Sequence, residues 1–104
     1  MNSEDLNILR KLHKNPEISQ RNLSKELNLS LGKVNYCLNS LKAKGFLKIK
    51  NFRNNKNKIN YLYILTPRGI TQKTKITIRF MKEKMKEYDE LKSELAKAKK
   101  KIKL

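Results

Sequence analysis

The sequence predicts a mainly α fold with one small β-hairpin (α+β) and a long helix at its C-terminal side. Three observations predict it. Three short stretches place Leu and Ile at three- and four-residue spacing behind serine caps. The apolar period then drops to two on either side of an asparagine-rich turn. From residue 68 a helical pattern runs on with no breaker except an early Gly69.

The first stretch, 4–14, has Ser3 as its expected N-cap and Glu4 and Asp5 in its first turn, where negative charge suits the helix dipole. Leu6, Leu9 and Leu12, with Ile8 beside them, make one apolar face. Asn15-Pro16 ends the helix, because the residue before proline avoids the helical region. Ser19 caps a second helix of about 20–27, with Leu23 and Leu27 four apart and Ile18 placed to staple its start. Asn28-Leu29 is a short turn. Ser30 caps a third helix, about 31–44, which carries Lys42 and Lys44 in its last turn and stops at Gly45.

Residues 46–52 alternate Leu47 and Ile49 with Lys48 and Lys50, and 59–65 are β-branched and aromatic, so the two read as a hairpin. The turn between them, 53–58, is Arg53-Asn54-Asn55-Lys56-Asn57-Lys58, where asparagine tolerates the left-handed conformations that glycine would otherwise supply. Thr66 is the expected N-cap of the last helix and Pro67 its first residue. That helix reaches about residue 100, a rod of roughly 50 Å. Ile70, Thr77, Met81, Tyr88, Leu91, Leu95, Ala98 and Ile102 fall on a 3-4 spacing, interrupted at Lys84, and form a heptad seam most regular over 81–102. The expected division is therefore a domain of residues 1–67 and a helix of 68–104 that pairs with a second copy. A 104-residue chain with 38% hydrophobic residues buries a thin core, which dimerisation would supplement.

Charge indicates the partner. The formal net charge is +17, and between Glu26 and Glu83 thirteen Lys and Arg occur with no acid. Such a stretch repels itself, and a polyanion that neutralises it is the commonest reason for it. Codon bias toward Lys and Asn is the plain alternative, but that bias also raises Glu, which the stretch lacks. Cys37 is the single cysteine, so no intrachain disulfide forms and an intracellular location fits. His13 and Cys37 are too few for a metal site, no glycine-rich phosphate loop occurs, and no cofactor is expected. No apolar run approaches a membrane span of ~18 residues, so the expected setting is cytoplasmic and nucleoid-associated, with no membrane partner.

The third helix carries the chemistry. On a helical wheel Val34, Cys37, Leu38 and Leu41 share one face. Gly32, Tyr36, Asn39 and Ala43 lie opposite, flanked by Lys33, Asn35, Ser40 and Lys42. Asparagine pairs bidentately with adenine, lysine reaches guanine or phosphate, and Tyr and Ser donate to phosphate. Taken alone, this is equally a solvated helix face. Context favours the first reading: short helix, tight turn, second helix ending in glycine, then a basic hairpin is the order of a winged helix-turn-helix. There the second helix of the motif, with Ser30 at its start, enters the major groove, and Ser19, Gln20 and Arg21 meet the backbone. The hairpin tip, with Arg53, Asn54, Asn55, Lys56 and Lys58, lies along the adjacent backbone or minor groove.

Residues 18–69 resemble the MarR family of winged-helix regulators. The resemblance rests on Leu41-Lys42-Ala43-Lys44-Gly45-Phe46-Leu47, the basic wing, and Leu65-Thr66-Pro67-Arg68-Gly69. The helix from Thr77 to Tyr88 is similar to a compact subgroup associated with exopolysaccharide biosynthesis loci. The resemblance implies double-stranded DNA binding as a homodimer and transcriptional control, with 31–44 as recognition helix and 53–58 as wing tip. The wing lacks the Asp-x-Arg pattern of many members, so Arg53 or Lys58 substitutes. The chain opens almost at the winged domain, so the dimer rests on Ile70, Thr77, Met81, Tyr88, Leu91 and Leu95; no small-molecule effector is assigned. Two rivals remain: a structured-RNA or ribosome-associated binder using the same basic surface, and a coiled-coil adaptor whose basic domain holds an acidic protein. Nothing favours an enzyme.

Overall fold

The computed structural model describes residues 2–53 and 59–102. Its elements run α1 (Ser3–Lys14), α2 (Gln20–Leu27), α3 (Leu31–Ala43), β1 (Leu47–Arg53), β2 (Ile59–Leu65) and α4 (Pro67–Ile102). It divides into two compact units, residues 1–74 and 75–104.

Caps set the boundaries. The first helix is capped by Asn2 rather than Ser3: the Asn2 side chain accepts from the Asp5 amide at 2.9 Å, and the Asp5 carboxylate accepts from the Asn2 amide at 3.4 Å. This reciprocal capping box satisfies two orphan donors, which a cap at Ser3 would not do with the residues available. Ser19 and Ser30 cap α2 and α3 as expected, accepting from Asn22 and Lys33 at 3.0 and 3.1 Å. Asn28 turns the chain out of α2 in the left-handed region, at φ 54°.

Lys44 caps the C-terminus of α3, and Gly45 follows at φ 78°, conformational space that glycine enters without strain. Gly45 N–H donates to Lys42 and Phe46 N–H to Leu41, both at 3.0 Å, which is a full Schellman ending. Phe46 is therefore part of the helix stop, and β1 begins one residue later than the alternation alone suggests.

β1 and β2 pair antiparallel, with Leu47 opposite Leu65, Ile49 opposite Tyr63 and Asn51 opposite Tyr61. One face of this hairpin joins the core and the other carries Lys48 and Lys50. The Tyr63 amide donates to the Pro16 carbonyl at 2.9 Å, so the segment after α1 occupies the outer edge of β2. The core gathers Ile8, Leu9 and Leu12 from α1, Leu23 from α2, Val34, Cys37, Leu38 and Leu41 from α3, and Phe46, Leu47 and Tyr63.

The start of α4 clasps the end of α3. Thr66 caps α4, its Oγ1 accepting from Gly69 N–H at 3.0 Å while donating to the Gly45 carbonyl at 2.7 Å. Thr66 N–H donates to the Phe46 carbonyl at 3.1 Å, and the Arg68 guanidinium lies over the Phe46 ring at 5.5 Å. A Cβ on Gly69 would sit 2.0 Å from the Phe46 carbonyl oxygen, so the close approach needs glycine. Gly45-Phe46 and Thr66-Pro67-Arg68-Gly69 are thus one structural joint.

Candidate nucleic-acid interface

The core packing of α3 through Val34, Cys37, Leu38 and Leu41 turns its opposite face outward. Gly32, Asn35, Tyr36, Asn39 and Lys42 are exposed there, Tyr36 at 68%, while Lys33 and Ser40 are half-buried at the flanks. Nothing lies within 4 Å of a Cβ built on Gly32. The free protein therefore gives no steric reason for glycine in the first turn of this helix.

Two clefts of about 400 Å³ each flank the start of α2. One lies between α3 and the hairpin, lined by Gln20, Asn39, Lys42, Ile49, Asn51, Tyr61 and Tyr63. Its neighbour runs from Glu17 and Ser19 to Asn60, with Gln20, Tyr61 and Tyr63 shared between the two. Tyr61 and Tyr63 stack with ring centroids 6.4 Å apart, giving the grooves an aromatic floor.

A chain of side-chain hydrogen bonds crosses this surface. Gln20 Nε2 donates to the Tyr63 hydroxyl at 3.4 Å, and Asn35 Nδ2 donates to Gln20 Oε1 at 3.3 Å. Asn39 Nδ2 donates in turn to Asn35 Oδ1 at 3.0 Å. The sequence places Gln20 with the backbone contacts; the structure commits its amide to this chain. Ser19 Oγ is engaged as a cap, and Arg21 is exposed beside it.

Glu4 also reaches this surface. Its carboxylate lies 3.2 Å from Lys33 Nζ, which stands 5.7 Å from the centre of the Tyr36 ring. The hydrogen bond and the charge of Glu4 raise the Lys33 pKa above its usual value. The acid-free stretch thus meets an acid from another helix, a contact that spacing within α3 does not reveal. Glu26 similarly faces Lys11 at 4.0 Å.

Of the wing residues, Arg53 ends β1, while Asn54, Asn55, Lys56 and Lys58 lie outside the described residues. On α4 the seam residues Met81, Tyr88, Leu91 and Leu95 are each more than half exposed on the single chain. Ile70 is exposed and Thr77 half-buried. Among the described residues there is no group of three or more His, Cys, Asp and Glu able to hold a metal ion. Nor is any described helix long and apolar enough to cross a membrane.

Residues 1–48 match the family model described as winged helix-turn-helix DNA-binding. Solved regulators share the fold over most of this chain. The chain carries a winged helix-turn-helix domain. Its fold is similar to that of the PcaV transcriptional regulator from Streptomyces coelicolor, solved with its natural ligand. The TM-score is 0.66 and the identity 20%, over 79% of this chain and 57% of PcaV. It is also similar to Streptococcus pneumoniae FabT in complex with DNA, at TM-score 0.58 and 25% identity, over 84% of this chain and 59% of FabT. Lactococcus lactis ZitR, a zinc-responsive MarR family member, gives TM-score 0.65 and 21% identity, over 88% of this chain and 60% of ZitR. The chain spans less than two thirds of the length of each of these three relatives. No curated protein matches it in sequence. In winged-helix terms α2 and α3 are the helix-turn-helix and β1–β2 is the wing.

Proposed function

We propose that this winged-helix chain is a MarR-type transcriptional regulator that binds double-stranded DNA sequence-specifically as a homodimer and catalyses no reaction. One observation carries the reading: the exposed face of α3 presents Asn35, Tyr36, Asn39 and Lys42 beside an open groove, with no acid of its own. The FabT structure supports it, being a similar fold with DNA bound. Asn35 and Asn39 read base edges, while Tyr36, Ser40 and Lys42 hold phosphates. Arg53, Lys56 and Lys58 extend the contact along the wing, and Ser19 and Arg21 grip the backbone. The exposed seam of Met81, Tyr88, Leu91 and Leu95 pairs with its counterpart in a second copy, which gives the operator dyad symmetry. The sequence resemblance supports exopolysaccharide genes as the targets, and the single cysteine and the basic charge support a cytoplasmic, nucleoid-associated setting.

Competition binding tests this reading. Labelled duplex DNA is displaced by unlabelled duplex or by structured RNA across a salt series. The proposal expects duplex to compete far better, and log Kobs to fall linearly with log salt as counterions are released. Equal competition by structured RNA, or no duplex binding near physiological salt, would contradict it.

A further inference from the structure

We infer that Gln20, outside the recognition helix, and Tyr63, in the wing, are positioning residues that set the base preference of Asn39. The inference rests on the DNA-binding reading above and adds residues that a contact reading alone does not supply. An asparagine amide can present its oxygen and nitrogen in either of two orientations, and which one faces the groove decides what it reads. Here the amide ends a chain of hydrogen bonds anchored in the core.

Tyr63 is 2% exposed, and its backbone is pinned between β1 and the Pro16 carbonyl, so its hydroxyl is a fixed point. That oxygen accepts from Gln20 Nε2, which turns Gln20 Oε1 toward α3. Oε1 accepts from Asn35 Nδ2, which turns Asn35 Oδ1 toward Asn39, and Oδ1 accepts from Asn39 Nδ2. Each amide has one oxygen and one nitrogen, so from Gln20 onward the sense of one bond fixes that of the next, while the Tyr63 hydroxyl, which can donate or accept, anchors the position of Gln20. At the end of the relay Asn39 retains its Oδ1 and one N–H. One acceptor and one donor on the same amide match the N6 donor and N7 acceptor of adenine in the major groove. Reversing the relay would exchange the positions of the Asn39 donor and acceptor, so in the same docking they would no longer meet adenine N7 and N6.

The test is selection from a random duplex pool, with Asn39→Ala marking the operator position that Asn39 reads. The full-length protein should favour adenine there about tenfold or more, the discrimination expected of a bidentate pair. Gln20→Met keeps the length of the side chain and removes its hydrogen bonds. Tyr63→Phe keeps the ring and removes the hydroxyl. Each should reduce the adenine preference at that position to within about twofold while leaving the salt slope unchanged. Gln20→Glu should restore the preference, because its carboxylate accepts from both Asn35 and the Tyr63 hydroxyl, although its charge weakens binding to all sequences.

Retention of the preference in both Gln20→Met and Tyr63→Phe would overturn the inference. So would loss of the preference in Gln20→Glu, since that places Gln20 in packing alone. An Asn39→Ala protein with unaltered preference would overturn it too, because the relay would then have nothing to orient. Those three results leave duplex binding standing; absence of any duplex binding by the unmodified protein overturns the DNA-binding reading together with the inference.

Discussion

At the scale of single residues, Gly32 separates folding from function most clearly. Glycine in a helix interior costs up to ~1 kcal/mol relative to alanine, and nothing in the free protein occupies the space a methyl group would fill. Gly32→Ala should therefore raise the thermal midpoint by a few degrees, as expected for a domain of this size. The same change should weaken duplex binding several-fold, because the added methyl stands between α3 and the DNA. A variant that is stabler and binds as well would remove Gly32 from the interface. Lys33 is restrained by Glu4, so Glu4→Gln should release it and tighten binding to all duplexes alike, with a steeper salt dependence. The Lys33 pKa is raised, so its pairing is complete below the usual 10.5 and is lost only as pH climbs past the shifted value. This ion pair therefore contributes no pH dependence through Lys33 near neutrality. Cys37 is buried, and burial first, then the nearby Asp5 charge, pushes its thiol pKa up. A thiol reagent should label it in the native protein only as fast as the domain opens.

At the scale of elements, the joint between α3 and α4 should be the most sensitive point of the fold. Gly69→Ala drives a Cβ into the Phe46 carbonyl, a backbone atom with no rotamer to escape through. It should cost at least ~2 kcal/mol by overpacking, read as a lower denaturant midpoint. At α1, Asn2→Ala should cost ~1 kcal/mol and Ser3→Ala much less, because the capping box belongs to Asn2 and Asp5. Most elements were legible in the sequence because each carries its own start and stop: Ser19, Ser30, Gly45 and Thr66 lie within a residue or so of a boundary. Asn2 was not, since Asn and Ser both make good caps and only the partner three residues on decides between them. The outward face of α3 was legible from its period. The Gln20–Asn35–Asn39 relay and the Glu4–Lys33 pair were not, because they join side chains from different elements and no local period brings those together.

At the scale of the whole molecule, charge and seam must work together if the chain acts as a dimer on DNA. The acid-free run ends at Glu83, and four more acids follow by Glu94, interleaved with lysines along the exposed stripe of α4. The Lys84–Glu87 pair there, at 3.5 Å and well exposed, adds little stability by itself. Leu91→Lys combined with Leu95→Lys should convert the dimer to monomer in sedimentation. Operator affinity should then fall about a hundredfold or more through loss of avidity, while the winged domain keeps its fold. A double variant that stays dimeric would move the interface elsewhere. The most direct measurement is footprinting of the full-length protein on the duplex it selects from a random pool. Two inverted half-sites about one helical turn apart, ~34–36 Å centre to centre and occupied by two chains, are the expected result. A single half-site without dyad symmetry, or recovery of no preferred sequence at all, would contradict it.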